Sequence, residues 1–236
     1  MSTASVTRRR PLGHEGPPLL VPALAFVGLT IAAAVLGASG PRPGTDPGAV
    51  LEYAATHRTA LRVGAALMLG SALPLLVFAA TAWARLRRLG ITAPGPLMGL
   101  AGATLAGASL AGAALAGWTL AQSAQLGDAH VARVLAWEWF AAGGVGFVAP
   151  FGLLIAGLAV PALLGRLLPR PVAWAGLGVA IIAMASTFAA ATSALYPLLP
   201  VGRFGGCAFL LVVAVGLPAG VGAGQRMGKY SRTRMP

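Results

Sequence analysis

The stretch "LAGATLAGASLAGAALAGW", from Leu100 to Trp118, repeats Leu-Ala-Gly every five residues and contains no charged side chain. Low-complexity repetition or a flexible linker would also be rich in alanine and glycine. The length, however, matches the roughly 20 apolar residues that an α-helix needs to cross a bilayer. A five-residue step turns a helix by about 140°, so the leucines and glycines spread around its axis. The stretch therefore predicts a membrane helix with no single lipid-facing side.

The glycines of this repeat are candidate positions for close helix packing. Small residues four apart recur along the stretch, and this pattern lets the backbones of neighbouring membrane helices approach each other. We expect the helix to lie at the centre of a bundle, and we expect leucine at either of the two middle glycines to disturb folding. The candidate packing residues are Gly102, Gly107, Gly112 and Gly117.

Composition extends the membrane interpretation to the whole chain. Of the 236 residues, 57% are hydrophobic and only 9% are charged, whereas a soluble domain carries about 25% charged residues. The net charge of +12 could indicate nucleic acid binding, but the charges cluster at the ends of apolar runs. We therefore predict no nucleic acid partner. The single cysteine, Cys207, excludes an internal disulfide and a CxxC metal motif.

Six apolar runs are long enough to span a bilayer, which predicts an all-α polytopic bundle of six transmembrane helices. The first run exceeds the 7–15 apolar residues of a signal peptide core, so we interpret it as a retained span. The runs are Leu19–Leu36, Leu61–Trp83, Pro96–Ala121, Trp139–Leu163, Val172–Thr192 and Phe204–Val221.

The arginines predict the orientation of the bundle, because cytoplasmic loops are enriched in Arg and Lys. With six spans, one side carries Arg8, Arg9, Arg10, Arg85, Arg87, Arg88, Arg166, Arg170, Arg226, Lys229, Arg232 and Arg234. The other side carries Arg42, Arg58, Arg62, Arg133 and Arg203, together with most of the acids. We therefore expect cytoplasmic tails over residues 1–17 and 223–236, the second of them basic, around a membrane domain over 18–222.

Two outer segments, residues 40–58 and 122–137, are expected to be partly helical. Asp46 followed by Pro47, and Asp128 in the second segment, are typical of helix N-termini. Each segment precedes a span that ends at a basic inner turn. This similarity raises the possibility of a duplicated two-span unit.

The predicted spans contain no ionisable residue in their cores, and this excludes several functions. Paired haem-ligating histidines, buried proton-relay carboxylates and a mid-span lysine for retinal are all missing. A GxxxxGK[ST] nucleotide loop is also missing. The sequence therefore predicts a non-enzymatic protein without a cofactor.

The outer face holds the only cluster of polar candidates. Two histidines with nearby carboxylates could bind a divalent metal or sense pH. Their spacing is no metal signature, because the members of each pair are two or five residues apart. We favour a solvated rim over a metal site. The residues are Glu52, His57, Asp128, His130 and Glu138.

The fourth run is the most irregular, with Gly143, Gly146 and Pro150 close together. Proline removes a backbone donor, so we expect a kink at Pro150. Pro74 gives the second run a milder irregularity. Broken helices often line cavities in transporters, although a simple bend with close packing is the alternative.

Four segments carry a resemblance: the "RRR" tail, "GPRPGTDPGAVLEYAATHR", "ARLRRLG" and "LYPLL". In this order they resemble a group of uncharacterised bacterial six-span membrane proteins classed as a domain of unknown function. The resemblance implies six spans in the bacterial inner membrane and brings no functional residues.

Two functions remain open from the sequence. The first is a non-enzymatic bundle that supports or regulates a membrane partner, which could be another protein or a second copy in the lipid bilayer. The alternative is a permease or binder for a small uncharged or lipidic molecule, with a cavity near Pro150 and Pro74. A cavity reaching the outer face between spans two, three and four would favour the alternative.

Overall fold

The computed structural model describes residues 18–218, and over this range the protein is all-α with no strand. Two short 3-10 segments, Ser186–Ala190 and Ser193–Leu195, connect the last two helices. The helices are α1 (Leu20–Leu36), α2 (Pro47–Thr56), α3 (Arg58–Arg88), α4 (Gly95–Ser123), α5 (Ala129–Gly143), α6 (Val145–Leu164), α7 (Arg170–Ala185) and α8 (Leu198–Gly216). The predicted tails, residues 1–17 and 223–236, lie outside the described residues.

Five helical segments are long and apolar enough to cross a membrane: α3, α4, the α5–α6 unit, α7 with its 3-10 extension, and α8 with the preceding 3-10 turn. The helix α1 is apolar but has only 17 residues. At 1.5 Å per residue it measures about 26 Å, slightly less than the thickness of a hydrocarbon core. The fold is therefore that of a membrane-compatible helix bundle.

The two predicted N-caps are confirmed. One carboxylate oxygen of Asp46 accepts hydrogen bonds from the backbone N–H groups of Gly48, at 2.8 Å, and Ala49, at 3.3 Å. Asp128 accepts from His130 at 2.8 Å and from Val131 at 3.2 Å. The helices that these residues begin, α2 and α5, pack against each other over a small apolar cluster.

The helix with the most neighbours is α6, which contacts α3, α4, α5, α7 and α8. The helix α4 contacts α2, α3, α5 and α6, and it keeps one exposed side. Leu97, Leu105, Leu115 and Trp118 are all about half exposed on α4. The expectation that the Leu-Ala-Gly helix has no lipid-facing side was therefore wrong. Its exposed positions recur mostly every three or four residues, which places them along one side of the helix.

The four glycines of the repeat differ in how closely other atoms approach them. A Cβ built at Gly102 would lie 2.7 Å from the Pro150 carbonyl oxygen, and one at Gly117 would lie 3.2 Å from the Trp139 ring nitrogen. At Gly107 the nearest atom is 3.6 Å away, and at Gly112 nothing lies within 4 Å. Gly112 is therefore not a position of close helix contact.

Two helix backbones approach each other closely next to the repeat, where Gly99 of α4 meets Gly157 of α6. A Cβ at Gly157 would lie 2.5 Å from the Gly99 Cα and 2.6 Å from the Gly95 carbonyl oxygen. Both contacts are to backbone. This pair, which the sequence analysis did not single out, sets the distance between α4 and α6.

The break in the fourth predicted span lies at Gly144, between α5 and α6. Pro150, at which a kink was predicted, lies six residues beyond this break, inside the helix α6. Pro74 likewise lies inside the continuous helix α3. A Cβ at Gly144 would approach the Phe140 carbonyl oxygen to 2.6 Å, so the turn between the two helices requires a residue without a side chain.

Candidate functional site

A cavity of about 430 Å³ lies between α1, the α5–α6 break and α8. This volume is in the range of small-molecule sites. The wall is formed mainly by apolar and aromatic side chains. The lining residues are Ala33, Ala34, Gly37, Ala38, Gly40, Pro41, Arg42, Met68, Trp139, Phe140, Gly143, Gly144, Leu199, Pro200, Arg203 and Phe204.

Small residues after α1 shape one side of this cavity around Trp139. A Cβ at Gly40 would lie 2.8 Å from the indole ring, and one at Gly37 would lie 3.3 Å from it. The chain leaving α1 thus lies directly on the Trp139 ring. Any larger residue at Gly40 would have to displace the ring and reshape the cavity.

Two arginines, Arg42 and Arg203, line the cavity, and Arg203 is the one that lies in a long apolar helix. It lies in the second turn of α8 and is partly buried. Its guanidinium donates a hydrogen bond to the carbonyl oxygen of Gly143 and lies 5.1 Å from the centre of the Phe147 ring. Gly143 is the last residue of α5, where carbonyl groups lack partners within the helix. Arg203 therefore connects α8 to the end of α5.

This position corrects the prediction that the spans contain no ionisable residue in their interior. The sequence analysis placed Arg203 in a loop before a span beginning at Phe204, but α8 begins at Leu198. Pro200 falls in the first turn of the helix, where proline does not interrupt hydrogen bonding. The two prolines of "YPLLPVGR" thus mark a helix start, and not a loop.

The cavity is positively charged. Its lining contains two arginines, Arg42 and Arg203, and no acidic residue. Within residues 18–218, Arg203 has the Gly143 carbonyl and the Phe147 ring as neighbours and forms no ion pair. A guanidinium carries five N–H donors, so a single carbonyl acceptor leaves most of them available to another group.

A second, more polar recess of about 400 Å³ adjoins the cavity. It shares Ala38, Gly40, Pro41 and Arg42 with the first cavity and extends toward α2. The hydroxyl of Tyr53, which contributes to its wall, is buried without a hydrogen-bond partner. The two spaces together form one region, with mainly apolar side chains and Arg203 beside α8, and more polar groups beside α2.

The candidate metal residues are spread over this end of the bundle. No three histidine, cysteine or acidic side chains of the described range are placed to hold a metal ion. Asp128 is occupied as a helix cap. The His57 ring stacks on Tyr53 with their centres 4.5 Å apart. The contact of His130 with Asp128 is the backbone N–H hydrogen bond of the cap, and not one between two metal-ligating side chains.

Of the residues predicted from irregular helices, Gly143 contributes to the cavity wall, whereas Pro74, Gly146 and Pro150 do not. The carbonyl of Pro150 faces Gly102, and Gly146 lies beside Ser109 of α4. The cavity therefore lies between α1, the α5–α6 break and α8, with Met68 of α3 in its wall, and away from the two prolines around which it was expected.

The sequence analysis missed Arg203, Arg42 and Trp139 as members of one site. One signal was present, since Arg203 is flanked on both sides by apolar residues and lies four residues before Cys207. An arginine in such a stretch is typical of a membrane helix with a functional polar group.

Comparison with known proteins adds no further assignment. No protein-family model matches the chain, and neither a curated protein nor a solved structure matches it. The resemblance to uncharacterised six-span bacterial proteins stays a prediction.

Proposed function

We propose that the protein is a six-span protein of the bacterial inner membrane with both termini in the cytoplasm. Five long apolar helices and the shorter α1 provide six crossings. Arg85 at the end of α3 donates a 3.1 Å hydrogen bond to the Leu217 carbonyl at the end of α8. The arginine-rich end of α3 and the exit of the chain from α8 are therefore at the same end of the bundle, which supports a cytoplasmic carboxyl terminus.

Cysteine labelling in intact cells tests this orientation. In a Cys207→Ala background, Ser5→Cys and Ser231→Cys are expected to react with a membrane-impermeant maleimide only after lysis. Ser39→Cys, in the exposed segment after α1, is expected to react in intact cells. Labelling of Ser5→Cys or Ser231→Cys in intact cells would contradict the proposed topology.

The function that the geometry supports best is binding of a small lipidic molecule in the cavity between α1, the α5–α6 break and α8. The observation that carries this proposal is an apolar, aromatic-lined space of about 430 Å³. Phe204 belongs to the wall and is 45% exposed. Phe204 therefore lies where the wall of the cavity meets the surface of the bundle, and we propose that the ligand enters from the bilayer past its ring.

This proposal assigns no chemistry to the protein, which would bind, transfer or present its ligand. A role in supporting or regulating a membrane partner stays a prediction beside it. Such a partner would then respond to whether the cavity contains a ligand.

A cavity-filling substitution tests the proposed function. Ala34 lines the cavity, so Ala34→Phe is expected to reduce the affinity of the purified protein for oleate and for 1-oleoylglycerol at least about tenfold, since the added ring occupies the ligand volume. The measurement is equilibrium binding in neutral detergent.

Ala32→Phe is the matched control, because Ala32 is exposed on the same helix and does not line the cavity. Its affinities are expected to equal those of the wild type. If neither probe binds the wild-type protein, or if both phenylalanine variants bind equally well, the cavity is not the binding site.

A further inference from the structure

We infer that the ligand of this cavity is an anionic amphiphile, whose carboxylate or phosphate group binds Arg203 and Arg42 while its apolar chain lies against the aromatic wall. This inference rests on the proposed function and specifies the chemical class of the ligand. Three features of the described residues lead to it.

The first feature is a guanidinium inside the bundle without a counter-ion. A charged group removed from water is costly unless it is paired. The Gly143 carbonyl and the Phe147 ring are neutral partners. A carboxylate or phosphate can accept two parallel N–H bonds from the planar guanidinium fork, which would supply the missing charge.

The second feature is the positive charge of the residues that line the cavity. Arg203 and Arg42 are its charged residues, and they come from opposite sides, one from α8 and one from the segment after α1. Arg203 could have the structural role alone of a cation at the C-terminal end of α5. This role explains its bond to Gly143. It does not explain why a second arginine lines the same space while no acid does.

The third feature is the division of the space into an apolar and a polar part. Trp139, Phe140 and Phe204 line the part beside α8. Thr45, Arg42 and the unpartnered Tyr53 hydroxyl line the adjoining recess. A simple anion would not need the aromatic wall, and a neutral lipid would not need two arginines. An amphiphile with an anionic head group fits both parts.

Binding of four probes to the full-length protein in maltoside micelles tests the inference. The probes are oleate, 1-oleoyl-lysophosphatidate, 1-oleoylglycerol and inorganic phosphate. The wild type is expected to bind both anionic lipids at least about tenfold more tightly than 1-oleoylglycerol, because charge-assisted hydrogen bonds strengthen their binding. The two anionic lipids distinguish a carboxylate from a phosphate site. Inorganic phosphate should bind much more weakly than either lipid.

Arg203→Gln is expected to lower the affinity for the preferred anionic lipid by about 10- to 100-fold, and to leave the affinity for 1-oleoylglycerol unchanged. Arg203→Lys keeps the charge but loses the fork, so an intermediate loss is expected. Arg42→Gln should weaken anionic binding by about two- to fivefold, since Arg42 is exposed at the rim. Arg62→Gln is the control, an exposed arginine outside the cavity.

The outcomes separate this inference from the proposed function. Equal affinity of the wild type for oleate and 1-oleoylglycerol would overturn the anionic assignment, and so would an equal loss of affinity for both probes in Arg203→Gln. In either case the proposed function still stands if Ala34→Phe lowers the affinity for both probes. If inorganic phosphate binds as tightly as the lipids, the apolar chain does not contribute to binding, and the inference of an amphiphilic ligand is overturned. If Arg203→Gln does not fold, Arg42→Gln decides, and an unchanged anionic affinity in that variant would overturn the inference.

Discussion

Gly157→Ala is expected to lower the free energy of unfolding by about 2–3 kcal/mol, the upper part of the range for overpacking a close-packed interior. The new Cβ would lie 2.5 Å from the Gly99 Cα and 2.6 Å from the Gly95 carbonyl oxygen. Neither atom belongs to a side chain that can rotate away, so α4 and α6 must separate. Unfolding of the purified protein in mixed detergent micelles measures the change.

The Leu-Ala-Gly repeat provides the control for this prediction. Gly112→Ala adds the same methyl group on α4, where nothing lies within 4 Å. Alanine is the better helix former by about 1 kcal/mol, so Gly112→Ala is expected to be neutral or slightly stabilising. Equal effects of the two substitutions would show that the α4–α6 contact does not limit stability.

Phe151→Ala is expected to lower the free energy of unfolding by about 3 kcal/mol, at the lower end of the range for removing a buried aromatic ring. Phe151 is completely buried, with its ring centre 4.9 Å from that of Phe147 and 5.7 Å from that of Phe26. In a bilayer the unfolded reference is also apolar, so the loss comes from van der Waals packing. The ring joins α1 to α6, and its removal leaves a void between them.

Phe188→Ala is the matched variant, because Phe188 is 67% exposed. Its effect on the same unfolding measurement is expected to stay within about 0.5 kcal/mol. A loss in Phe188→Ala as large as that in Phe151→Ala would indicate that the rings contribute through hydrophobicity alone, and not through the Phe26–Phe147–Phe151 cluster.

The helical elements could be predicted from the sequence because their signals are local. Long apolar runs with few charges give α3, α4 and α7, and carboxylates before a helical run give the caps at Asp46 and Asp128. These features depend on neighbouring residues only. The helix α1 differs from these elements, since its 17 residues are fewer than a typical span contains.

The contacts between helices could not be predicted in the same way. In the Leu-Ala-Gly repeat, Gly102 and Gly112 have almost the same sequence surroundings, yet only Gly102 faces a backbone carbonyl of another helix. The difference depends on where α6 crosses α4. A kink was predicted at Pro150, whereas the break between α5 and α6 lies six residues earlier, at Gly144, where the close approach of the Phe140 carbonyl favours glycine.

The cavity could not be predicted from local sequence signals either, for a related reason. Its wall combines residues from Ala33 to Phe204, from four separate helices and the segment after α1. Arg203 was assigned to the outer side because the sixth predicted span began one residue later, at Phe204. With α8 beginning at Leu198, the same arginine becomes part of the bundle, and the electrostatic character of the interior changes.

The two arginine-to-carbonyl bonds of α8 also fix the axial register of this helix. Arg203 near its start reaches the last residue of α5, and Arg85 reaches the Leu217 carbonyl just after its end. These anchor points are about 21 Å apart along the helix axis. A slip of α8 by one residue, about 1.5 Å, would strain both bonds at once. The last helix of the bundle is thus held against sliding along its neighbours.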